Sequence, residues 1–363
     1  MAFKNIEKKG TSSMTLVIDD LDLSIVNSVR RIILSEIPNV AFDFDPYAEK
    51  NDITITTNTC ALHNEFLAHR ISLIPLCFDA KEIENFDSKK YRFVLTKKNT
   101  GTEILHVTTD DFEIYDESNV KYDKKFKNKI FPADPITKHH VLITKLKPNL
   151  YDTSRGEEVD LECFASVNIA KEHARWSPVS KCAFYNALDE KAVKLAEAEV
   201  KPLDKNKFHN IDKFRLFKKN KYDEPSSFVF SIDSECRLSP EYLMTKAFQI
   251  LRNKITEFAA ALSSSLNISN QNEMFVIEVT DTTHTLLNVL HSLIYNNTFR
   301  NMPPSENPLE FIGYHQSHPL DKKMILKVKF KAAETSISDL KEFLLSQCDT
   351  ITSYLDEIIH KWA

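Results

Sequence analysis

The sequence predicts an α+β fold in which two related units stand in tandem and a mainly β domain is inserted into the first. Three observations support this prediction. A strand–turn–helix pattern occurs twice, each copy closes with a strand and a long amphipathic helix, and strand-like segments interrupt the first copy. Four helices with broad apolar faces would then bury one another as an intramolecular pseudo-dimer.

The first copy begins with MTLVIDDLDL (residues 14–23), which is typical of a strand that runs into a turn. A helix is predicted from Ser24, a suitable N-cap, to Pro38, which cannot continue a helix. The residues at helical spacing, which would form its buried face, are Ile25, Val29, Ile32, Ile33 and Ile37.

The second copy is MFVIEVTDTTHTLLNVLHSLI (residues 274–294). Asp20 and Asn27 of the first copy match Asp281 and Asn288 of the second at equal separation. The apolar helix positions also match pairwise, Ile25, Val29, Ile32 and Ile33 with Leu286, Leu290, Leu293 and Ile294. Each copy is therefore a strand, a turn and an apolar helix.

Each copy then closes with a strand, FVFSI (228–232) or MILKVKF (324–330), and a long helix. Pro240 lies in the first turn of the earlier helix, and both helices carry apolar residues three or four positions apart. These residues are Leu243, Ala247, Leu251, Ile255, Phe258, Leu262 and Leu266 in one helix, and Ile337, Leu340, Leu344, Cys348, Ile351, Leu355, Ile358 and Trp362 in the other. Such seams favour a partner helix; the alternative is packing on the sheet of the same unit. The predicted pseudo-dimer core contains Val29, Ile33, Leu251, Phe258, Leu290, Leu344, Ile351 and Leu355.

The inserted domain contains alternating segments at 53–57, 91–96 and 102–109, and the chain returns to its parent unit near 161–169. The predicted boundaries are 1–40 and 166–268 for the first dimerisation domain, 41–165 for the inserted domain and 269–363 for the second dimerisation domain.

Composition argues against most enzyme classes. The chain has 363 residues, a net charge of −5 and only four, isolated, glycines. Phosphate-binding loops and the nucleophile elbow of α/β-hydrolases need clustered glycines. MAFKNIEKKG at the N-terminus lacks the apolar core of a signal peptide, and no run approaches the ~20 apolar residues that span a bilayer. An intracellular protein with no membrane contact is expected.

The residues also suggest two alternative functions, the first of which is that of a metal-dependent hydrolase. His63, Glu65 and His69 suggest it, but histidines six residues apart fall on nearly opposite helix faces, whereas zincins place them four apart. The six cysteines form no CxxC pair, and the pairs His139–His140 and His315–His318 lack neighbouring ligands. No catalytic residue, cofactor or metal is predicted.

The second alternative is single-stranded nucleic-acid binding. Residues 121–129 and 204–221 are basic, and aromatic residues are interleaved in the latter. Solvated loops more often explain such stretches, given the mildly negative net charge.

Several motifs resemble a known family. NSVRRIILSEIP (27–38), LHNEFLAHRISLIPL (62–76) and AKEHARWSPVSKCAFY (170–185) resemble the alpha-like platform subunit of multisubunit RNA polymerases, a family that includes the third-largest subunit of eukaryotic RNA polymerase II and its archaeal D-type homologue. DTTHTLLNVLHSLI (281–294) and FIGYHQSHPLDKKMILKV (311–328) resemble the smaller partner in that family, the archaeal L-type protein and its eukaryotic relatives. The motifs cover most of the chain, in order.

The resemblance implies a non-catalytic assembly subunit of DNA-directed RNA polymerase that docks the largest and second-largest subunits and meets other small subunits. DNA would be contacted only indirectly, through the complex. The family's heterodimer would here be one polypeptide, an arrangement similar to that in the transcription machinery of large cytoplasmic DNA viruses. The expected location is then the cytoplasm of the infected cell and the virion; the alternative is the nucleus.

The resemblance also implies docking residues. Arg30 and Arg31 match the family's paired arginines, with Arg31 facing the second-largest subunit, and His291 and Ser292 occupy the equivalent positions of the second copy. The remaining docking residues on the matched motifs are His69, Arg70, Ile74, Pro75, His173, Arg175, Trp176, His284, Asn288, His318 and Pro319.

Three departures from the family pattern stand out. Residues 78–162 contain no cysteine, so the zinc or iron–sulfur site of many relatives does not carry over. Leu287 stands where the smaller partner usually has glycine, which questions close packing at that turn. Residues 296–308 are expected to form an additional loop.

Overall fold

A computed structural model describes residues 2–235, 237–271, 273–280, 282–332 and 334–362. Asp281, which the sequence matches with Asp20, and Cys236 lie outside the described residues. The chain forms two compact units: unit 1 is Met1–Ile33, Lys181–Ile232 and Pro240–Ala363, and unit 2 is Leu34–Ser180 and Asp233–Ser239. The domain boundaries proposed from the sequence stay a prediction.

The elements are named in chain order. The strands are β1 (Ala2–Lys9), β2 (Ser13–Asp19), β3 (Asn39–Ala41), β4 (Ile53–Asn58), β5 (Arg92–Lys98), β6 (Leu105–Thr108), β7 (Glu113–Tyr115), β8 (Leu142–Leu146), β9 (Glu158–Cys163), β10 (Ser166–Asn168), β11 (Val179–Asn186), β12 (Ser227–Ser234), β13 (Asn267–Gln271), β14 (Met274–Thr280), β15 (Leu309–His315) and β16 (Lys323–Phe330). The α-helices are α1 (Leu23–Ser35), α2 (Asn64–Ser72), α3 (Ala80–Glu84), α4 (Lys124–Ile130), α5 (Glu190–Glu199), α6 (Lys205–Asn210), α7 (Pro240–Ser264), α8 (His284–Tyr295) and α9 (Ile337–Trp362).

Two sheets with the same strand arrangement form the frame of the fold. Their strand orders are β1-β2-β12-β11 and β13-β14-β16-β15. The chain visits the elements in the same sequence twice, as β1-β2-α1-β11-β12-α7 and then as β13-β14-α8-β15-β16-α9. We call these the first half and the second half. The predicted α+β class with two related units is confirmed; the outer strands β1 and β13 were not foreseen.

The long helices α7 and α9 pack against each other, and α8 contacts both. The eight predicted core residues are all at most 4% exposed. A fork of two hydrogen bonds from Arg252 to Asp356, at 2.6 and 3.2 Å, links the outer sides of α7 and α9. Each seam therefore has a partner helix. At the ends of the seams the expectation was wrong, since Leu266 lies beyond α7 and Ile337 is 42% exposed.

The first helix begins at Leu23, two residues earlier than an N-cap at Ser24 predicts. Asp22 Oδ1 accepts a hydrogen bond from the Ser24 amide at 2.8 Å, so Asp22 is the cap and Ser24 lies buried inside α1. A carboxylate in this place also interacts favourably with the positive end of the helix dipole. The helix ends at Ser35, so Ile37 is buried beyond it rather than on its face.

The end of α8 also differs from the prediction. Residues Asn296–Arg300 continue the helix as a π-helical turn, so the expected loop over 296–308 is helical in its first part. Thr298 lies in this turn fully buried, with its hydroxyl donating to the carbonyl of Ile294 at 2.7 Å. At the other end of α8, Leu287 lies in the first turn of the helix and is fully buried. That first turn therefore accommodates a leucine in place of glycine.

Unit 2 is mainly β. Its largest sheet has the order β4-β9-β5-β7, and two further pairs are β6-β8 and β3-β10. Buried phenylalanines fill its interior, with ring centroids of Phe42 and Phe93 at 5.0 Å and of Phe112 and Phe131 at 5.2 Å. Among the described residues of the chain, no helix combines the length and the apolar character needed to cross a bilayer.

Candidate functional site

The two arginines of α1 are each held by a named partner. Arg30 donates from Nε and Nη2 to Asn27 Oδ1 at 3.1 and 2.9 Å, within its own helix. Arg31 donates from Nε to Thr285 Oγ1 at 2.9 Å, and Ser28 Oγ donates to the Thr285 carbonyl at 3.0 Å. Because both arginines are half-exposed and their side chains are oriented, they form a defined cationic edge of the first half.

The corresponding face of α8 carries no such charge. Asn288 and His291 line a cleft of about 950 Å³ together with the N-terminus of α1 and residues of β15. Ser292 donates to Asp22 Oδ1 at 3.1 Å and Asn296 donates to Asp22 Oδ2 at 2.8 Å. The cap of α1 therefore also ties the first half to α8.

Three aromatic residues, Tyr295, Phe299 and Phe311, line this cleft. Phe311 is 45% exposed and Tyr295 is 38% exposed. His291 lies between the rings of Tyr295 and Tyr314, with centroids at 6.2 and 5.7 Å. Burial lowers the pKa of His291, and a hydrogen bond to the backbone of Ile312 opposes that shift. His291 is thus neutral at neutral pH and lies among aromatic rings, in a cleft that the charged side chains of Asp22, Glu224, Arg300 and Glu310 also line.

The other predicted docking residues of the second half are exposed. His284, the first residue of α8, lies near Tyr314 at a ring distance of 5.8 Å. His318 and Pro319 belong to the connection between β15 and β16, where His318 Nδ1 accepts a hydrogen bond from the Leu320 amide at 3.2 Å. These residues are available for contact, but the structure does not place them in the aromatic cleft.

Unit 2 brings together four predicted docking residues from two motifs. His69, His173, Arg175 and Trp176 line a cavity of about 580 Å³. Trp176 is 2% exposed, and its indole Nε1 donates to the carbonyl of Ser166 at 3.3 Å. Motifs about 100 residues apart in the sequence therefore form one concave surface, which the sequence alone could not establish.

Arg175 organises the floor of that cavity. Its side chain is only 3% exposed, and it donates to the carbonyls of Phe42 and Phe44 at 3.2 and 2.7 Å. Its Nη1 lies 3.1 Å from Asp43 Oδ1, and its Nε donates to His173 Nδ1 at 3.1 Å. Because the guanidinium itself is largely covered, Arg175 shapes the cavity through the loop that it holds.

His173 is a neutral acceptor in this arrangement. Its Nδ1 accepts from both the amide and Nε of Arg175, which leaves the ring proton on Nε2. Burial lowers the pKa of His173, and the charges of Arg175 and His69 lower it further. A neutral imidazole with one remaining donor suits a polar contact to a partner better than an ion pair.

The AHR…LIPL segment makes contacts mainly within its own unit. Arg70 donates from Nε to the carbonyl of Ile143 at 3.1 Å and from Nη2 to that of Leu142 at 3.0 Å. Ile74 is buried, whereas Pro75 is exposed. Arg70 therefore links α2 to β8 although it is itself exposed, and His69 and Pro75 are exposed beside it.

The hydrolase alternative gains no support from the structure. His63 precedes the first residue of α2 and packs against Phe66 at a ring distance of 4.4 Å. Among the described residues, no group of three histidine, cysteine, aspartate or glutamate side chains could hold a metal ion. The thiols of Cys182 and Cys348 offer no activated nucleophile either, since burial raises the pKa of both to about 12.

One contact in unit 1 was not predicted from the sequence. Arg300 forms a two-point ion pair with Glu224 at 2.7 and 2.6 Å, and its guanidinium lies 4.5 Å from the Tyr222 ring and 5.4 Å from the Tyr295 ring. We call this set the Arg300 latch. It joins the β11–β12 connection of the first half to the π-helical turn of the second. The two segments are about 75 residues apart, and no periodic pattern links them.

Comparison with known proteins identifies what both halves are similar to. Residues 15–255 match the RNA polymerase Rpb3/Rpb11 dimerisation domain, and residues 275–361 match a second domain of the same description. DNA-directed RNA polymerase II subunit RPB3 of Schizosaccharomyces pombe is 29% identical over 279 residues, which cover 70% of this chain and 84% of that protein.

Two further relatives extend the similarity beyond RNA polymerase II. DNA-directed RNA polymerases I and III subunit RPAC1 of Saccharomyces cerevisiae is 27% identical over a match that covers 65% of this chain and 80% of that protein. DNA-directed RNA polymerase subunit Rpo3 of Pyrobaculum arsenaticum is 24% identical over a match that covers 71% of this chain and 95% of that protein.

Proposed function

Because the chain belongs to the Rpb3/Rpb11 dimerisation-domain family of RNA polymerase subunits, we propose that it is a non-catalytic assembly subunit of a DNA-directed RNA polymerase. In this proposal one chain supplies both halves of the dimer that the family builds from two chains. The observation that carries it is the repeated β-β-α-β-β-α arrangement, whose helices pack in one compact unit. Such a preformed platform spares the polymerase one association step and its entropy cost.

The two halves dock different large subunits. The cationic edge of Arg30 and Arg31 receives the second-largest subunit, since a guanidinium fork binds carboxylates and carbonyls of a partner. The aromatic cleft with Phe311 and Tyr295 receives the largest subunit, since aromatic rings are among the residues that most often contribute interface energy. The concave surface of unit 2, with His69 and His173, contacts the second-largest or a small subunit.

The place of action is a further part of the proposal. The joining of both dimerisation halves in one chain resembles the arrangement in large cytoplasmic DNA viruses, which supports a polymerase of the infected cell's cytoplasm that is packaged in the virion. Fractionation of infected cells and purified virions, followed by immunoblotting, tests this point. Exclusive recovery in nuclei would contradict it.

Co-expression with the two largest subunits of the same source tests the docking assignment. Arg31→Glu should weaken recovery of the second-largest subunit by about 30-fold or more, which corresponds to about 2 kcal/mol, because it reverses the charge at an oriented contact. Arg31→Lys is the matched control, since it keeps the charge but loses the fork, and its effect should be intermediate. Phe311→Asp should reduce recovery of the largest subunit instead.

Each variant also needs an unchanged thermal unfolding midpoint, since Arg31 contacts Thr285 within the chain. If a folded Arg31→Glu chain recovers the second-largest subunit normally, the docking assignment is wrong. If the unmodified chain recovers neither large subunit, the assembly function itself fails.

A further inference from the structure

A basic surface on the β11–β12 connection lies outside the strands and helices that the two halves share. This connection runs from residue 187 to residue 226, whereas the equivalent connection between β15 and β16 covers only residues 316–322. Since the second half folds the same way without a comparable segment, the long connection is an addition to the frame rather than a part of it.

Charge is concentrated on one stretch of this connection. Residues 205–221, the basic segment, contain seven lysine and arginine residues and one aspartate, a net charge of +6 in a chain whose total is −5. Lys205, Lys207 and Lys218 are exposed, and none of them has a carboxylate within 4.0 Å among the described residues. Within the segment Lys219 lies 2.8 Å from Asp223 and Arg215 lies 3.6 Å from Asp212, and the charge of Lys218 helps to lower the pKa of Asp19. The basic segment therefore carries positive charge that the protein neutralises only in part.

The other basic stretch, residues 121–129 in unit 2, behaves differently. Lys121 pairs with Glu113, Lys127 pairs with Asp110 at 2.7 Å, and Lys129 pairs with Asp79 at 2.6 Å. Carboxylates of unit 2 thus neutralise most of the lysines in residues 121–129. Two stretches that look alike in the sequence differ in the charge that they offer to a ligand.

Aromatic rings alternate with these cations on the surface. The Lys213 ammonium lies 5.0 Å from the Phe214 ring centroid, and the Lys219 ammonium lies 5.4 Å from that of Phe217. Phe214 is 54% exposed, and Ile211 near it in the chain is 53% exposed. Exposed rings among lysines are the combination on which unpaired bases stack while the backbone phosphates are neutralised.

The basic segment is anchored to the frame at several points. Phe208 is buried, the Lys218 amide donates to the carbonyl of Ala187 at 3.0 Å, and the Ser226 amide donates to the carbonyl of Lys218 at 3.1 Å. The Asp189 amide donates to the carbonyl of Leu216 at 2.9 Å. The backbone that carries these lysines and Phe214 is therefore attached to the rest of unit 1 at several points.

From these observations we infer that the basic segment is a binding surface for single-stranded nucleic acid, with lysines on the phosphates and Phe214 stacked on a base. An acidic polypeptide would satisfy the charges but would leave the exposed ring without a stacking partner. A duplex offers no unstacked base. The inference goes beyond the assembly role and stands on different residues, so either can fail without the other.

Fluorescence anisotropy on the full-length chain tests this inference, with labelled oligo(dT) and oligo(U) of about 20 nucleotides at salt from about 50 to 200 mM. The test variant is Lys205→Gln/Lys207→Gln/Lys218→Gln. Its affinity should fall at least about tenfold, and the slope of log K against log salt should shrink by about 2, because each lost phosphate contact contributes about 0.7. The matched control Lys124→Gln/Lys125→Gln/Lys145→Gln removes the same charge from exposed lysines of unit 2 and should bind as the unmodified chain does.

Phe214→Ala separates nucleic acid from other polyanions. Loss of one stacked base should weaken binding about tenfold while the salt slope stays the same, because no charge is removed. Thermal unfolding confirms that each variant is folded. The inference is overturned if no oligonucleotide binds at low salt, or if the control triple loses as much affinity as the test triple. It is equally overturned if Phe214→Ala binds normally and polyglutamate competes as well as the oligonucleotides, which would identify an acidic protein as the partner.

Discussion

The two halves of unit 1 share their architecture and differ in what they add to it. Both run strand, strand, helix, strand, strand, helix, and both bury the apolar faces of their helices. Between α1 and β11 the first half holds residues 36–178, whereas the second half has only residues 296–308 between α8 and β15. The additions lie at connections, where extra chain costs little loop-closure entropy.

A comparison of the two halves separates the positions that core packing determines from the surface positions that contact with partners would determine. Buried positions are held by shape and hydrophobicity, so Val29 and Leu290 are both at most 1% exposed. Half-exposed positions on the same helices differ, with Arg30 and Arg31 on α1 and His291 and Ser292 on α8. A common core with divergent polar edges is the arrangement expected of a platform that binds two different partners.

The largest expected effect on stability comes from removing a core side chain in each half. Leu251→Ala on α7 and Leu344→Ala on α9 should each lower the free energy of unfolding by about 2–5 kcal/mol, because both leucines are fully buried and leave a cavity. Chemical denaturation measures the loss. Leu345→Ala, at a half-exposed neighbouring position, should cost clearly less. A negligible effect for one of the two core leucines would contradict an equal role of the two helices.

A second prediction concerns the Arg300 latch, in which the second half contacts an addition of the first. Arg300→Ala should lower the free energy of unfolding by about 1–2 kcal/mol, since it removes a two-point ion pair and cation–π contacts on a partly exposed surface. Glu224→Gln keeps the shape and should cost less. If Arg300→Ala is neutral in chemical denaturation, the latch does not contribute to joining the halves.

The latch also predicts a pH dependence. The hydrogen bond from Arg300 holds the pKa of Glu224 below its usual value of 4.5. A depressed folded-state pKa stabilises the protein above the unfolded-state value, and this contribution disappears as the pH falls through the folded-state value. The stability difference between the unmodified chain and Glu224→Gln should therefore be constant near neutral pH and shrink below about pH 4.5. A difference that persists unchanged in acid would show that the charge of Glu224 is irrelevant.

The smallest predicted effect is a pH dependence of stability in mild acid, which comes from His291 on α8. Burial lowers the pKa of His291 below its usual value of 6.5, so the unfolded chain takes up this proton first and stability falls as the pH drops below 6.5. His291→Gln should reduce the slope of the unfolding free energy against pH between about 6.5 and 5. An identical slope in both proteins would rule out His291 as the source.

Periodicity and residue type predicted the frame well, because buried helix faces and strands leave a repeating apolar signal. The helices α1, α7, α8 and α9 and the strands β2, β12, β14 and β16 all follow from it. The ends of the helices were less predictable. The N-cap of α1 is Asp22 because of one hydrogen bond to the backbone, and Ser24 could equally have provided such a bond. The site residues show a deeper limit. Arg70 and Arg175 look like exposed contact residues in the sequence, and only the fold reveals that they bind backbone carbonyls of their own unit.

The assembly role is the central claim, and affinity purification of the tagged full-length chain from its native source, followed by native mass determination, tests it most directly. We expect a complex of several hundred kilodaltons that contains this chain together with two very large polymerase subunits. Recovery of a lone monomer of 41.8 kDa under the same conditions would contradict it.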